Sequence, residues 1–100
     1  MESLKRALQR ALNERGLESE LKGWDAVKEW ARVVGPHIAE HSRATAYNQG
    51  ALEVEVDGSA WMQELTILKR KLILKLNSEL GSNSVRELRY RVVPRGGILR

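Results

Sequence analysis

Residues 59–80, SAWMQELTILKRKLILKLNSEL, form the longest unbroken helical pattern in this chain, and every other segment has to pack around them. At the helical repeat Trp61, Leu65, Leu68, Leu72, Leu76 and Leu80 fall on one side, while Met62 and Ile73 widen the stripe. One long amphipathic helix is predicted, with Trp61, Leu65, Leu72 and Leu76 in the core. Ser59 is placed to cap its first turn, Glu64 adds negative charge near the positive end, and Gly81 supplies a left-handed stop.

The opposite face of the same helix is less ordinary. It carries Arg70, Lys71, Lys75 and Asn77 around two apolar residues, Ile67 and Leu74, one heptad apart. A helix that is apolar on two sides has two neighbours. Two identities for the second neighbour are open on the residues alone: another helix of the same domain, or a partner docked within a ring of positive charge.

A chain of 100 residues builds one core and not two. The absence of cysteine excludes a disulfide framework and thiolate chemistry and gives no support to secretion. No apolar run reaches the length that spans a bilayer, and MESLKRALQR lacks the apolar centre of a signal peptide, so a cytoplasmic location is expected. The 17 Lys and Arg against 13 Asp and Glu give a net charge of +4, which permits a polyanionic partner without requiring one.

Around the long helix the chain reads in order. Residues 3–15 pattern as a short helix, with Leu4, Ala7, Leu8, Ala11 and Leu12 on one side, Lys5, Arg6 and Arg10 on the other, and Gly16 as its stop. Residues 18–41 pattern as a second helix through Leu21, Trp24, Val27, Ala31, Val34 and Ile38, interrupted at Gly35-Pro36. Trp24 is placed in the core, and so is Trp30, at the border of that stripe. Residues 43–47 and 51–57 are predicted as a hairpin turning at Asn48-Gln49-Gly50, with Leu52, Val54 and Val56 facing in. Residues 85–93 alternate again, and if that strand joins the hairpin, Arg89 and Arg91 face Glu53 and Glu55 across the open side. The expected division is an N-terminal helix over 1–16, a domain over 17–94 and a short tail over 95–100. Its fold class is α+β, a two-layer sandwich in the order helix-helix-strand-strand-helix-strand, with a three-stranded sheet and helices on one face. A parallel crossover through the long helix should be right-handed.

Catalytic chemistry has little to stand on. GxxxxGK[ST] is absent, as is any glycine-rich loop joining a strand to a helix, so ATP binding is not expected. His37 and His41 in HIAEH have a metal-compatible spacing, but the glutamate stands in the wrong place for HExxH and no third ligand is evident. The plainer role is a helix-end histidine. No nucleophile has an activating context, so neither an enzyme nor a cofactor is expected.

The stretches WARVVGPHIAEHS, GALEVEVDGSAWMQELTILKRKLILKLNSELG and VRELRYRV carry a resemblance. Over residues 24–93 the chain resembles the DciA-like family, long described as a domain of unknown function. Trp30, Val34, Gly35, Ile38 and His41 match its first block, Gly50, Leu52 and Val54 its strand, and Ser59, Ala60, Trp61, Leu65, Leu72, Leu76, Asn77 and Gly81 its helix. The resemblance implies a KH-like domain without ATPase activity that binds nucleic acid and helps load a DnaB-type replicative helicase. The GxxG clamp of true KH domains is absent here.

The expected role is therefore a non-enzymatic adaptor for single-stranded or junction DNA and the helicase, with no membrane and no small-molecule substrate. Lys69, Arg70, Lys71 and Lys75, supported by Arg6 and Arg10, are the expected DNA contacts, and Ile67 and Leu74 the expected partner contacts. An RNA-binding module and a protein-interaction domain without nucleic-acid binding are the alternatives.

Overall fold

The leucine spacing of residues 59–80 sets the architecture. In the computed structural model, which describes Leu4 and residues 14–94, the elements run α1 (Glu14–Val34), α2 (Pro36–Ala39), β1 (Ser42–Asn48), β2 (Ala51–Asp57), α3 (Ser59–Leu80) and β3 (Glu87–Val93). Helix α3 has the predicted ends, and Leu65, Leu72, Leu76 and Leu80 are buried along it. Its entry differs from the prediction by one residue. The N-cap is Gly58, at φ 87° and ψ 160°, with no side-chain cap, and Ser59 is already helical. That φ is open to glycine and costly for a residue with a Cβ, so the chain turns from β2 into α3 at Gly58 and leaves Ser59 no capping geometry. The exit is as expected: Gly81 is left-handed and returns its N–H to Ser78, closing the last turn.

The three strands form one mixed sheet in the order β1-β2-β3. β1 and β2 are an antiparallel hairpin, with a register irregularity between Ala44 and Ala46. Gln49 and Gly50 at its tip both have positive φ, which suits a tight turn whose twist matches the strands. β3 runs parallel to β2, and the register sets Glu53 opposite Arg89 and Glu55 opposite Arg91, as the alternation predicted. The strand starts at Glu87 and not at residue 85. Val85 precedes it because both amide groups of the Asn77 side chain engage its backbone: Nδ2 donates to Val85 O at 2.8 Å, and Val85 N donates to Oδ1 at 3.0 Å. Asn77 is thus a splice between helix and strand and does not belong to the exposed face of α3. Arg86 and Glu87 then donate their N–H groups to Gly50 O, tying β3 to the hairpin tip. The helix, strand and crossover order is consistent with a KH-like layout.

The core lies between this sheet and helices α1 and α3, where Leu52, Val54, Val56 and Leu88 meet Leu65, Leu72, Leu76, Ala26, Trp30 and Val33. Its polar groups are matched. Trp30 Nε1 donates to Ser42 Oγ at 3.0 Å, Ser42 Oγ donates to Ile38 O at 2.8 Å, and Tyr47 OH donates to Ser84 O at 2.8 Å. Burial of hydrogen-bonded rather than orphaned polar groups keeps such a core inexpensive.

Helix α1 departs most from its sequence pattern. It begins at Glu14, passes through Gly16 without stopping, and ends at Val34, with Gly35 and Pro36 opening the separate short α2. Trp24, assigned to the core, is 46% exposed, and Leu21 and Ala31 are also exposed. The buried face is instead Gly23, Ala26, Trp30, Val33 and Val34. Gly23 is where the ring of Tyr47 lies against the helix backbone, so the side that approaches the sheet is the one with least side-chain bulk. Trp30, placed in the core although at the border of that stripe, is central at 2% exposure. The remainder of the predicted helix over 3–15 and the tail over 95–100 lie outside the described residues.

Candidate macromolecular interface

Packing Leu65, Leu72 and Leu76 onto the sheet turns the far side of α3 to solvent. Ile67 is 78% exposed and Leu74 65% exposed, and no helix among the described residues covers them. Seven residues are nearly two turns, so the two aliphatic side chains stand on one line about 10.5 Å apart along the axis. Arg70 lies to one side of that line and Lys71 and Lys75 to the other, all three exposed. None of the three makes an ion pair with another described residue. Three of the expected cations, Arg70, Lys71 and Lys75, therefore form one surface with the expected partner contacts. Arg6 and Arg10 lie outside the described residues.

Lys69 does not share that surface. Its Nζ is 3.5 Å from Glu87 Oε1 and 5.4 Å from the centroid of the Tyr90 ring, on the side of α3 that meets β3. Tyr90 OH donates to Leu65 O at 2.7 Å. Burial, reinforced by the charge of Glu87, pushes the Tyr90 phenol well above the ordinary tyrosine range. Lys69 thus braces β3 against α3, and its ammonium is already partnered.

A second cluster sits at the N-terminal end of α3. Trp61, assigned to the core, is only half-buried and packs at its margin. The His41 ring stacks on it at 4.4 Å between centroids and an angle of 14°, while His37 meets it edge-on at 5.4 Å. His41 Nδ1 is 3.4 Å from Asp57 Oδ2. The HIAEH spacing therefore serves to seat two imidazoles on an indole, a pairing that periodicity could not reveal because Trp61 belongs to a different element, beyond the hairpin. A cleft of about 400 Å³ lies beside the stack, lined by His41, Asp57, Gly58, Ser59, Ala60 and Trp61. Among the described residues no three His, Cys, Asp or Glu side chains gather as a metal site. Nor is any helix among them long and apolar enough to cross a membrane.

The open face of the sheet is charged but internally matched. Glu55 is bonded through one carboxylate oxygen to Arg43, at 2.7 Å, and through the other to Arg91. The hydrogen bond from Arg43 and the charge of Arg91 hold the Glu55 carboxyl below the usual glutamate range, against the opposing effect of burial. Arg32 is held similarly between Glu29 and Glu79.

Comparison with known proteins supplies a family. The family described as Dna[CI] antecedent, DciA, matches residues 3–90. A UPF0232 protein of Mycobacterium tuberculosis is 41% identical over 61 residues, covering 61% of this chain and 33% of that protein. UPF0232 proteins of Mycobacterium marinum and Streptomyces avermitilis are each 33% identical, over 75 residues (75% of this chain, 40% of the relative) and 85 residues (83% and 47%). The matched region spans between a third and a half of the length of these relatives. With nearly the whole described fold inside the matched range, the chain belongs to the DciA family.

Proposed function

We propose that this chain is the globular module of a non-enzymatic DNA-replication factor of the cytoplasm, which binds DNA and a hexameric replicative helicase and promotes helicase loading. Residues 17–94 are its KH-like unit. The observation that supports this reading is the exposed side of α3, where Arg70, Lys71 and Lys75 stand unpaired among the described residues around Ile67 and Leu74. Unpaired cations on a rigid helix suit a phosphate backbone, because no internal salt bridge has to be broken when they bind. Lys69, tied to Glu87, contributes less, and Arg6 and Arg10 extend the basic character toward the N-terminus. Family membership supports the helicase part of the reading.

The test is titration of fluorescent single-stranded DNA at several salt concentrations. Each phosphate contact adds about 0.7 to the slope of log affinity against log salt for single strands. The double variant K71E/K75E should weaken binding at low salt and reduce that slope by at least about 1. Unchanged affinity and slope would remove the α3 cations from the DNA site. An RNA competitor of the same sequence that displaced the DNA with clear preference would favour an RNA-binding module instead.

A further inference from the structure

Resting on that reading, we infer that the exposed side of α3 seats an acidic amphipathic helix of the protein partner. The helix packs its apolar residues on Ile67 and Leu74 and its carboxylates on Arg70, Lys71 and Lys75. The argument starts from exposure. Two branched aliphatic side chains, 78% and 65% exposed and nearly two turns apart, are the spacing that an apolar stripe on a second helix matches. Cations flank this seam on both sides, about 50° away for Arg70 and Lys71. Flanking charge of one sign selects a partner with the opposite sign at its own flanking positions.

The other occupants fit less of what is present. A phosphate backbone satisfies the three cations and leaves Ile67 and Leu74 against a charged, hydrated surface. A second copy related by a two-fold axis sets Arg70, Lys71 and Lys75 against themselves. A bilayer gains little from two aliphatic residues, since interfacial helices hold through a wide apolar face. A protein helix satisfies the seam and the cations together. A direct consequence is competition: while the partner helix is seated, its carboxylates occupy the cations that DNA uses, so the module holds one of the two ligands through this face at a time.

The experiment measures affinity of the whole chain for the hexameric replicative helicase of its own organism and, separately, for a 30-nucleotide oligo(dT). The double variant I67A/L74A removes the seam and keeps every charge. Because both positions are exposed, its thermal melt should match that of the wild type, which reports that the fold is intact. It should bind helicase at least about tenfold more weakly and oligo(dT) within about twofold of wild type, whereas K71E/K75E should weaken both. Excess oligo(dT) should release helicase from the wild-type chain. Helicase binding by I67A/L74A at wild-type strength overturns the docking inference and leaves the proposed function standing. A loss of DNA binding in that variant, or of binding to anionic vesicles in place of helicase, assigns the seam to another ligand and overturns it as well. A wild-type chain that does not bind the helicase overturns the inference together with the reading on which it rests.

Discussion

Replacing Gly23 by alanine should destabilise this domain, although the same change in the interior of most helices is stabilising. Removing a mid-helix glycine normally contributes about 1 kcal/mol in favour of folding. At Gly23 a Cβ falls 2.2 Å from Cε2 of Tyr47 and 2.3 Å from Cδ2 and Cζ, more than 1 Å inside ordinary van der Waals contact. The ring cannot swing clear at small cost. Tyr47 is buried, and its OH is held by Ser84 O at 2.8 Å. Either α1 lifts from β1 or the ring moves and breaks that bond. Overpacking of this kind costs about 1–3 kcal/mol, and separating a buried hydroxyl from its acceptor adds about 1–3 kcal/mol. After the helical gain is deducted, the net loss is about 1–5 kcal/mol. For a domain of this size each kcal/mol lowers Tm by about 4–8 °C, so Gly23→Ala should melt roughly 5–40 °C below wild type. Circular dichroism melts supply the measurement. A double-mutant cycle identifies the cause, because Tyr47→Leu removes the ring that the new methyl strikes, and the paired variant should recover at least about 1 kcal/mol relative to additivity. A Gly23→Ala protein that melts above wild type, or strict additivity with Tyr47→Leu, would refute the close approach of α1 to β1.

Three further outcomes follow from the core and the sheet. Ser42→Ala leaves the buried Trp30 indole N–H without its acceptor and should cost about 1–3 kcal/mol, read from urea unfolding. The two matched tryptophans should separate: Trp30→Ala, in the centre of the core, should lose about 3–5 kcal/mol and fail to fold stably. Trp61→Ala, at the core margin, should give a folded protein with a lower Tm, and an unfolded Trp61→Ala chain would return Trp61 to the core. Because its arginine partners lower the folded-state pKa of Glu55, its contribution is complete at neutral pH and is lost as pH falls below the ordinary glutamate range. A plot of Tm against pH should therefore fall less steeply on the acid side for Glu55→Gln than for wild type.

The parts of this fold that could be read from sequence are those in which one face carries all the apolar bulk. Leu52, Val54 and Val56 alternate with Glu53, Glu55 and Asp57, and a strand with that pattern has only one register that buries it. The leucines of α3 likewise leave no alternative. Helix α1 offers two stripes, and periodicity chooses the one through Leu21, Trp24, Val27, Ala31 and Val34. The structure buries the other, roughly a third of a turn away, because Gly23 and Ala26 let β1 and Tyr47 come close. A glycine inside a helical pattern reads as a breaker, yet here it is a packing surface. The two-sided character of α3 was also legible, since Ile67 and Leu74 sit opposite the leucine stripe. The withdrawal of Lys69 was not, because it depends on β3 bringing Glu87 and Tyr90 alongside, which no local spacing encodes.

The placement of opposite charges is the reason the helix, and not the sheet, is the proposed surface for a polyanionic or acidic ligand. Domains that read single strands on an open sheet present aromatic rings and unpaired cations there. In this chain that face carries Glu53 and Glu55 between Arg43, Arg89 and Arg91, and Glu55 takes bonds from two of the three arginines. Tyr90 of β3 lies opposite Val54, on the side covered by the helices, and donates its hydroxyl to Leu65 O of α3. A phosphate arriving on the sheet must compete with carboxylates fixed in strand register, whereas one arriving at Arg70, Lys71 and Lys75 meets no carboxylate among the described ion pairs. A net charge of +4 distributed evenly would favour no surface. Pairing on the sheet and along α1 leaves Arg70, Lys71 and Lys75 as a group of cations on α3 without a described ion pair, beside the only two strongly exposed aliphatic residues of that helix.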